Sequence, residues 1–201
     1  MVTETQAETA SGSDRPRRPR SDSVLNRARI LQAAEQAFGS EGLAVPIDEI
    51  AERAGVGVGT IYRHFPTKEA LFEAIVLSHF ERLVQLAQSL TTAEDPVAAL
   101  FSFLAQLVNE GVDKRNLADA LAGAGIDVKA AAGTLKQDLE EAVGQLLTRA
   151  QADGSIRSDI SIADLMGLVA GTCMTAERFG GTEGSACRML SVVCDGLRTP
   201  D

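Results

Sequence analysis

Between Gly59 and His64 the chain sets Gly, Thr, Tyr, Arg and His almost side by side, interrupted only by Ile61. The guanidinium of Arg63 suits guanine, and the methyl of Thr60 suits thymine. Arg63 serves equally well on a phosphate, so its partner stays open between base edge and backbone. Tyr62 and His64 add hydrogen-bonding groups, and Gly59, lacking a side chain, lets the backbone approach a partner closely. Other chemistries fail on spacing. Gly55-Val-Gly-Val-Gly59 looks like a phosphate-cradling loop, but no strand precedes it and no Gly-Lys-Ser/Thr follows. His64 and His79 are fifteen residues apart, with no HxxxH or CxxC, which argues against a metal site. No histidine stands near a Ser or Cys at a recognisable catalytic spacing, so neither an enzyme nor a cofactor is expected.

Two short helices must position these groups. Ile47, Ile50, Ala51 and Ala54 fall at helical spacing and form an apolar face, with Ala51 small enough for a second helix to approach. Gly55 ends that helix where a left-handed backbone is the usual solution. In the second helix Val58, Ile61 and Phe65 form the inward stripe, which leaves Gly59, Thr60, Tyr62, Arg63 and His64 facing outward. A helix pair joined by a glycine turn is a helix-turn-helix, whose second helix can enter a major groove. Asp48, Glu49 and Glu52 lie on the outer side of the first helix, near its favourable N-terminal end.

The segment GVGVGTIYRHFPTKEALF resembles the recognition-helix region of the TetR family of bacterial transcriptional regulators. The resemblance rests on the Tyr-x-His-Phe ending at Tyr62 to Phe65, the short connection at Pro66 and Thr67, and Lys68 opening a long helix. It covers roughly residues 25 to 77. It implies phosphate contacts for Tyr62 and His64, and for Lys68 together with the N–H groups at the start of its helix. The full set of expected DNA-binding residues is Pro46, Ile47, Val58, Gly59, Thr60, Tyr62, Arg63, His64, Thr67 and Lys68.

A net charge of −9 is unusual for a DNA binder, and its distribution resolves the difficulty. Residues 15 to 70 hold nine Lys/Arg against seven Asp/Glu, while residues 71 to 201 hold ten against eighteen. A basic reading head on an acidic body binds DNA locally and sticks little elsewhere. Hydrophobic residues make up 45% of the chain, ample for a core, and aromatics only 4%, which suits an Ala/Leu-rich helical protein. No apolar run approaches the ~20 residues that span a bilayer, and no apolar signal segment is visible. Three widely spaced cysteines argue against a disulfide framework. A cytoplasmic protein is expected, nucleoid-associated when bound to its operator.

The predicted fold is all-α, with about nine helices in two parts. Residues 1–21 read as a disordered arm containing the basic run Arg15 to Arg20, residues 22–67 as the DNA-binding head, and 68–201 as an effector-binding and dimerisation body. The arm is expected to contribute counterion release or to track a minor groove. Within the head a helix from about Asp22 to Ser40 stops at Gly42, and Pro46 fits the first turn of the next. Thr67 caps a long helix to about Leu90, and Asp95–Pro96 starts another. Ala118 to Gly133 is poorly periodic and reads as a short helix with joints, followed by a helix from about Thr134 to Ala152 that Asp153–Gly154 stops. Ser161 with Asp164 forms a capping-box-like pair, and the last helix runs from about Glu183 to Leu197.

The resemblance implies more for the body. The last two helices would pair with those of a second copy, through Leu165, Val169, Cys173, Met189 and Val193. A ligand pocket would be lined by Leu83, Phe101, Leu104, Val143, Leu147 and Met166, which suit a small, mostly apolar effector. The implied protein is a homodimeric repressor that such a ligand releases from a palindromic operator. The alternatives are a helical protein acting through protein partners and a cysteine-based redox-sensing regulator. Cys173, Cys187 and Cys194 are expected to be buried small hydrophobes.

Overall fold

The computed structural model describes residues 19–123, 128–178 and 185–200, with side chains over 22–110, 133–175 and 185–200. Eight helices follow one another: α1 (Pro19–Glu41), α2 (Ile47–Ala54), α3 (Val58–His64), α4 (Lys68–Leu90), α5 (Pro96–Gly123), α6 (Val128–Ala152), α7 (Ile162–Arg178) and α8 (Ser185–Leu197). The all-α architecture is as expected. One expected element is redistributed, leaving eight helices among the described residues, close to the nine expected. The segment Ala118 to Gly133 is no separate helix, because α5 continues to Gly123 and α6 already begins at Val128. Alanine favours helix whether or not a hydrophobic stripe is present, so weak periodicity there does not end a helix. Most of the expected arm, residues 1–18, lies outside the described residues, and α1 begins at Pro19.

Local chemistry sets the boundaries. Gly42, Gly55 and Gly154 have φ of +80°, +64° and +83°, the left-handed conformation that ends a helix. Pro46 precedes the first turn of α2 instead of occupying it: it is the N-cap, with φ −66° and ψ 147°. The Thr67 hydroxyl accepts from the Ala70 N–H at 3.1 Å, and Asp95 Oδ1 accepts from Val97 and Ala98 at 3.0 and 2.8 Å. At α7 the Asp164 carboxylate accepts from the Ser161 N–H at 3.0 Å, while Ser161 Oγ accepts from the Asp164 N–H at 3.2 Å. That is a reciprocal capping box with Asp in the usual Glu place.

Two apolar cores result, and α4 belongs to both. The head core gathers Ile30, Ala34 and Phe38 of α1, Ile50 and Ala51 of α2, and Ile61 of α3, against Leu71, Phe72 and Ile75 of α4. The body core joins Leu83 and Ala87 of α4 to Phe103 and Leu104 of α5, Val143 and Leu146 of α6, Leu165 and Val169 of α7, and Leu190 of α8. Between them α4 passes through a polar turn. There His79 Nδ1 lies 2.8 Å from Glu110 on α5, and Arg82 lies 3.0 Å from Glu35 on α1. The C-terminal residues fasten onto the α6–α7 connection, where Arg157 N–H donates to Leu197 and Thr199 N–H to Ser155, both at 3.0 Å.

The cysteines separate by environment. Cys173 is buried, with its thiol 3.9 Å from the Val108 carbonyl. Cys194 is half-buried, and burial pushes its thiol pKa up. Cys187 departs from expectation: it is exposed, its thiol donating to Asn109 Oδ1 at 3.4 Å, because it stands in the first turn of α8, beyond the cover of the core.

Candidate nucleic-acid interface

The turn between α2 and α3 is held by backbone hydrogen bonds and by Val56, which packs on the head core. The Gly55 N–H donates to Glu52 and the Val56 N–H to Ala51, both at 3.0 Å, closing α2 while the chain reverses. Gly57 then starts α3, its carbonyl accepting from Thr60 N–H at 2.8 Å. Ile50, Ala51 and Ala54 are buried against Ile61, and Phe65 closes the base of α3 at 3% exposure. Burying Ile61 and Phe65 contributes about 1.5–3 kcal/mol each, which fixes the rotation of α3 about its axis.

That rotation decides which side chains face out. Gly59, Tyr62 and Arg63 are exposed, and Thr60 and His64 are half-buried at the edges of the same face. Tyr62 is 48% exposed, a large aromatic left uncovered. An added Cβ at Gly59 would meet nothing within 4 Å, so no neighbour inside the protein requires glycine there. Pro46 is exposed, and Ile47 and Val58 are half-buried where the two helices begin. The exposed Thr67 uses its hydroxyl oxygen to cap α4. Lys68 is drawn inward: its ammonium donates to the Val45 carbonyl at 2.7 Å and lies 5.7 and 5.9 Å from the ring centroids of Phe38 and Phe72.

The charges of the head divide into bound and available. Arg53 bridges Glu41, at 2.6 Å, and Glu49, so it ties the end of α1 to α2. Hydrogen bonds to Glu41 first and Glu49 second raise its already high pKa. Arg27 was missing from the set expected by sequence. It is exposed on α1, with its guanidinium carbon 5.4 Å from the Phe65 ring centroid, which places it beside the end of α3. Its only sequence signal is basic character one turn before Ile30, and thirty-eight residues separate it from Phe65.

The residues expected in the body fall into different environments. Leu165, Val169 and Cys173 are buried in the protomer's own core. The outward side of α7 and α8 instead presents Leu168, Met174 and Val192, exposed by 42%, 55% and 72%. Met189 and Val193 line an open cleft of about 810 Å³ there, floored by Gly167 and Gly171. Of the expected pocket residues, Leu83, Leu104, Val143 and Leu147 are buried in the body core, with Phe101 and Met166 half-buried against it. The Phe101 ring is covered by the Arg198 guanidinium at 5.1 Å.

Comparison with known proteins agrees with this architecture. Residues 30–75 match the family described as bacterial regulatory proteins of the tetR family, and residues 95–199 match the C-terminal domain of SbtR-like transcriptional regulators. The chain belongs to the TetR family of helix-turn-helix transcriptional regulators. A TetR regulatory protein from Mycobacterium vanbaalenii is 40% identical, with a TM-score of 0.76 over 90% of this chain and 99% of that one. The TetR regulator SCO0520 of Streptomyces coelicolor is 35% identical, with a TM-score of 0.74 over 87% and 99%. The regulator TtgR of Pseudomonas putida is 37% identical over 97 residues, 47% of this chain and 46% of TtgR. The match therefore spans about half the length of that curated relative.

Proposed function

We propose that the protein is a homodimeric repressor that reads a palindromic operator through α3. The outward face of α3 carries the reading, since Gly59, Tyr62 and Arg63 are exposed together on a helix whose other side is locked into the head core. Thr60 and Arg63 address base edges; Tyr62 and His64 hold phosphates, with Arg27 extending that backbone contact onto α1. Pro46, Ile47, Val58 and Thr67 frame the contact. One such helix reads only a few base pairs, so two copies are needed about one helical turn apart. The exposed apolar side of α7 and α8 suits the pairing. A small, mostly apolar effector bound in the body favours a state in which α4 tilts and the heads no longer match the groove spacing. The protein acts in the cytoplasm, on the nucleoid when operator-bound. Among the described residues no helix is long and apolar enough to cross a membrane.

Selection of bound sequences from a random DNA library tests this reading. Recovery of a palindrome with half-sites one turn apart, bound at roughly 10⁻⁸ M or tighter, is expected. Recovery of nothing above non-specific background overturns it.

A further inference from the structure

The first turn of α4 holds both helices of the reading pair. It holds α3 covalently, through the three-residue connection Phe65–Thr67. It holds α2 through Lys68, whose ammonium bonds the carbonyl of Val45, a buried residue immediately before the N-cap Pro46. The same ammonium faces the rings of Phe38, from α1, and Phe72, from α4, which pack with centroids 4.3 Å apart. The end of α1, the segment before α2 and the start of α4 thus meet at one cation. Ring faces attract a cation through their quadrupole, and the carbonyl supplies the directional bond. The Lys68 ammonium is thus turned into the head, and drawing it outward to a DNA phosphate would weaken its hold on the segment that starts α2.

We propose that Lys68 is a positioning residue of the DNA interface, fixing the start of α2, and through it the angle of α3, to the first turn of α4, without contacting a phosphate itself. The proposal rests on the DNA-binding reading above and reverses the phosphate role implied by family resemblance. It also gives α4 a polar grip on the segment leading into α2, so that displacement of α4 is passed to both helices of the pair together.

The full-length Lys68→Met protein tests it, keeping the length of the stem and removing the charge. Binding to the selected operator and to an unrelated duplex is measured over a series of potassium chloride concentrations. The expected result is an operator affinity lower by about tenfold or more, as for one mis-seated base contact. Binding to the unrelated duplex and the salt slope stay unchanged. Equal losses on both duplexes, with a slope shallower by about 0.9, indicate a lost phosphate contact and overturn the proposal. A lower melting temperature with an unchanged operator-to-unrelated ratio means a merely structural lysine and overturns it too. Should the variant not fold, acetylation of the wild-type protein decides. Lys68 is expected to react more slowly than the exposed Lys136 and equally slowly with or without either duplex; protection that appears only on adding DNA overturns the proposal. If wild-type protein binds no duplex at all, the DNA-binding reading itself falls and the proposal with it. That outcome is distinct from any behaviour of the variant.

Discussion

The guanidinium of Arg27 lies over the ring of Phe65, 5.4 Å from carbon to centroid, and so registers the exposed side of α1 against the end of α3. A cation–π contact at an exposed site contributes only ~0.5–1 kcal/mol, enough to orient the arginine and too little to keep it from a phosphate. Arg53, held by two carboxylates, has no such freedom.

Arg27 and Arg63 should therefore fail differently when removed. Arg27→Ala is expected to weaken binding to every duplex alike and to shallow the salt dependence by about one phosphate. Arg63→Ala should relax preference at one operator position, by ~1–3 kcal/mol, leaving the other positions intact. Titration of the operator and its single-base variants checks both. An Arg27→Ala slope equal to that of wild type would remove Arg27 from the interface.

Gly59 separates stability from binding. Replacing a helical glycine by alanine gains up to ~1 kcal/mol, and nothing inside the protein obstructs the new methyl group. Gly59→Ala should melt higher and yet bind the operator more weakly, because the methyl stands between the helix backbone and the DNA. At Gly55 the same change meets no neighbour either, but φ is +64°, so Gly55→Ala should lose about 1–2 kcal/mol through backbone strain. Thermal melting and operator binding of the two variants, side by side, give the comparison. Undiminished operator binding by Gly59→Ala would mean that α3 does not approach the DNA closely there.

Much of this fold is legible in sequence because its signals are local. Gly42, Gly55 and Gly154 each stop a helix, Thr67 and Ser161 each start one, and the α3 stripe of Val58, Ile61 and Phe65 determines its outer face. What escapes is non-local or ambiguous in composition. The destination of Lys68 depends on a carbonyl twenty-three residues away, and that of Arg27 on a still longer separation. Helix α7 is apolar around most of its circumference, so composition alone does not show whether Leu165 or Leu168 faces the protomer's own core. The Ala-rich stretch after Ala118 carries no stripe from which to place a boundary.

That ambiguity in α7 leads to a further expectation. Leu168→Glu combined with Val192→Glu should leave helix content unchanged, yield monomers in sedimentation and abolish tight operator binding. Leu165→Ala, inside the core, should instead lower stability by ~2–5 kcal/mol. Dimers persisting in the double variant would place the pairing surface elsewhere.

The α7 capping box should leave a trace in the pH dependence of stability. Hydrogen bonds from the Ser161 side chain first, and its backbone N–H second, hold the Asp164 carboxyl below the usual carboxylate range. A depressed folded-state pKa stabilises the fold above the unfolded value of 3.8, and that contribution is lost as pH falls through the lower folded value. Urea unfolding of wild type and Asp164→Ala should thus differ by a constant amount near neutral pH, and the gap should close in acid. A gap that widened on acidification would mean the carboxylate is not the capping group.

Because α4 supplies Leu71, Phe72 and Ile75 to one core and Leu83 and Ala87 to the other, the two functional parts are not separable by a cut between them. A fragment ending at Thr67 would keep the whole reading face and lose one wall of the chamber that keeps it rigid. An autonomous DNA-reading fragment has to extend at least through Val76, and even then exposes the side of α4 that the body covers. What looks like a linker in the sequence is shared masonry, and whatever loosens it on one side is felt on the other.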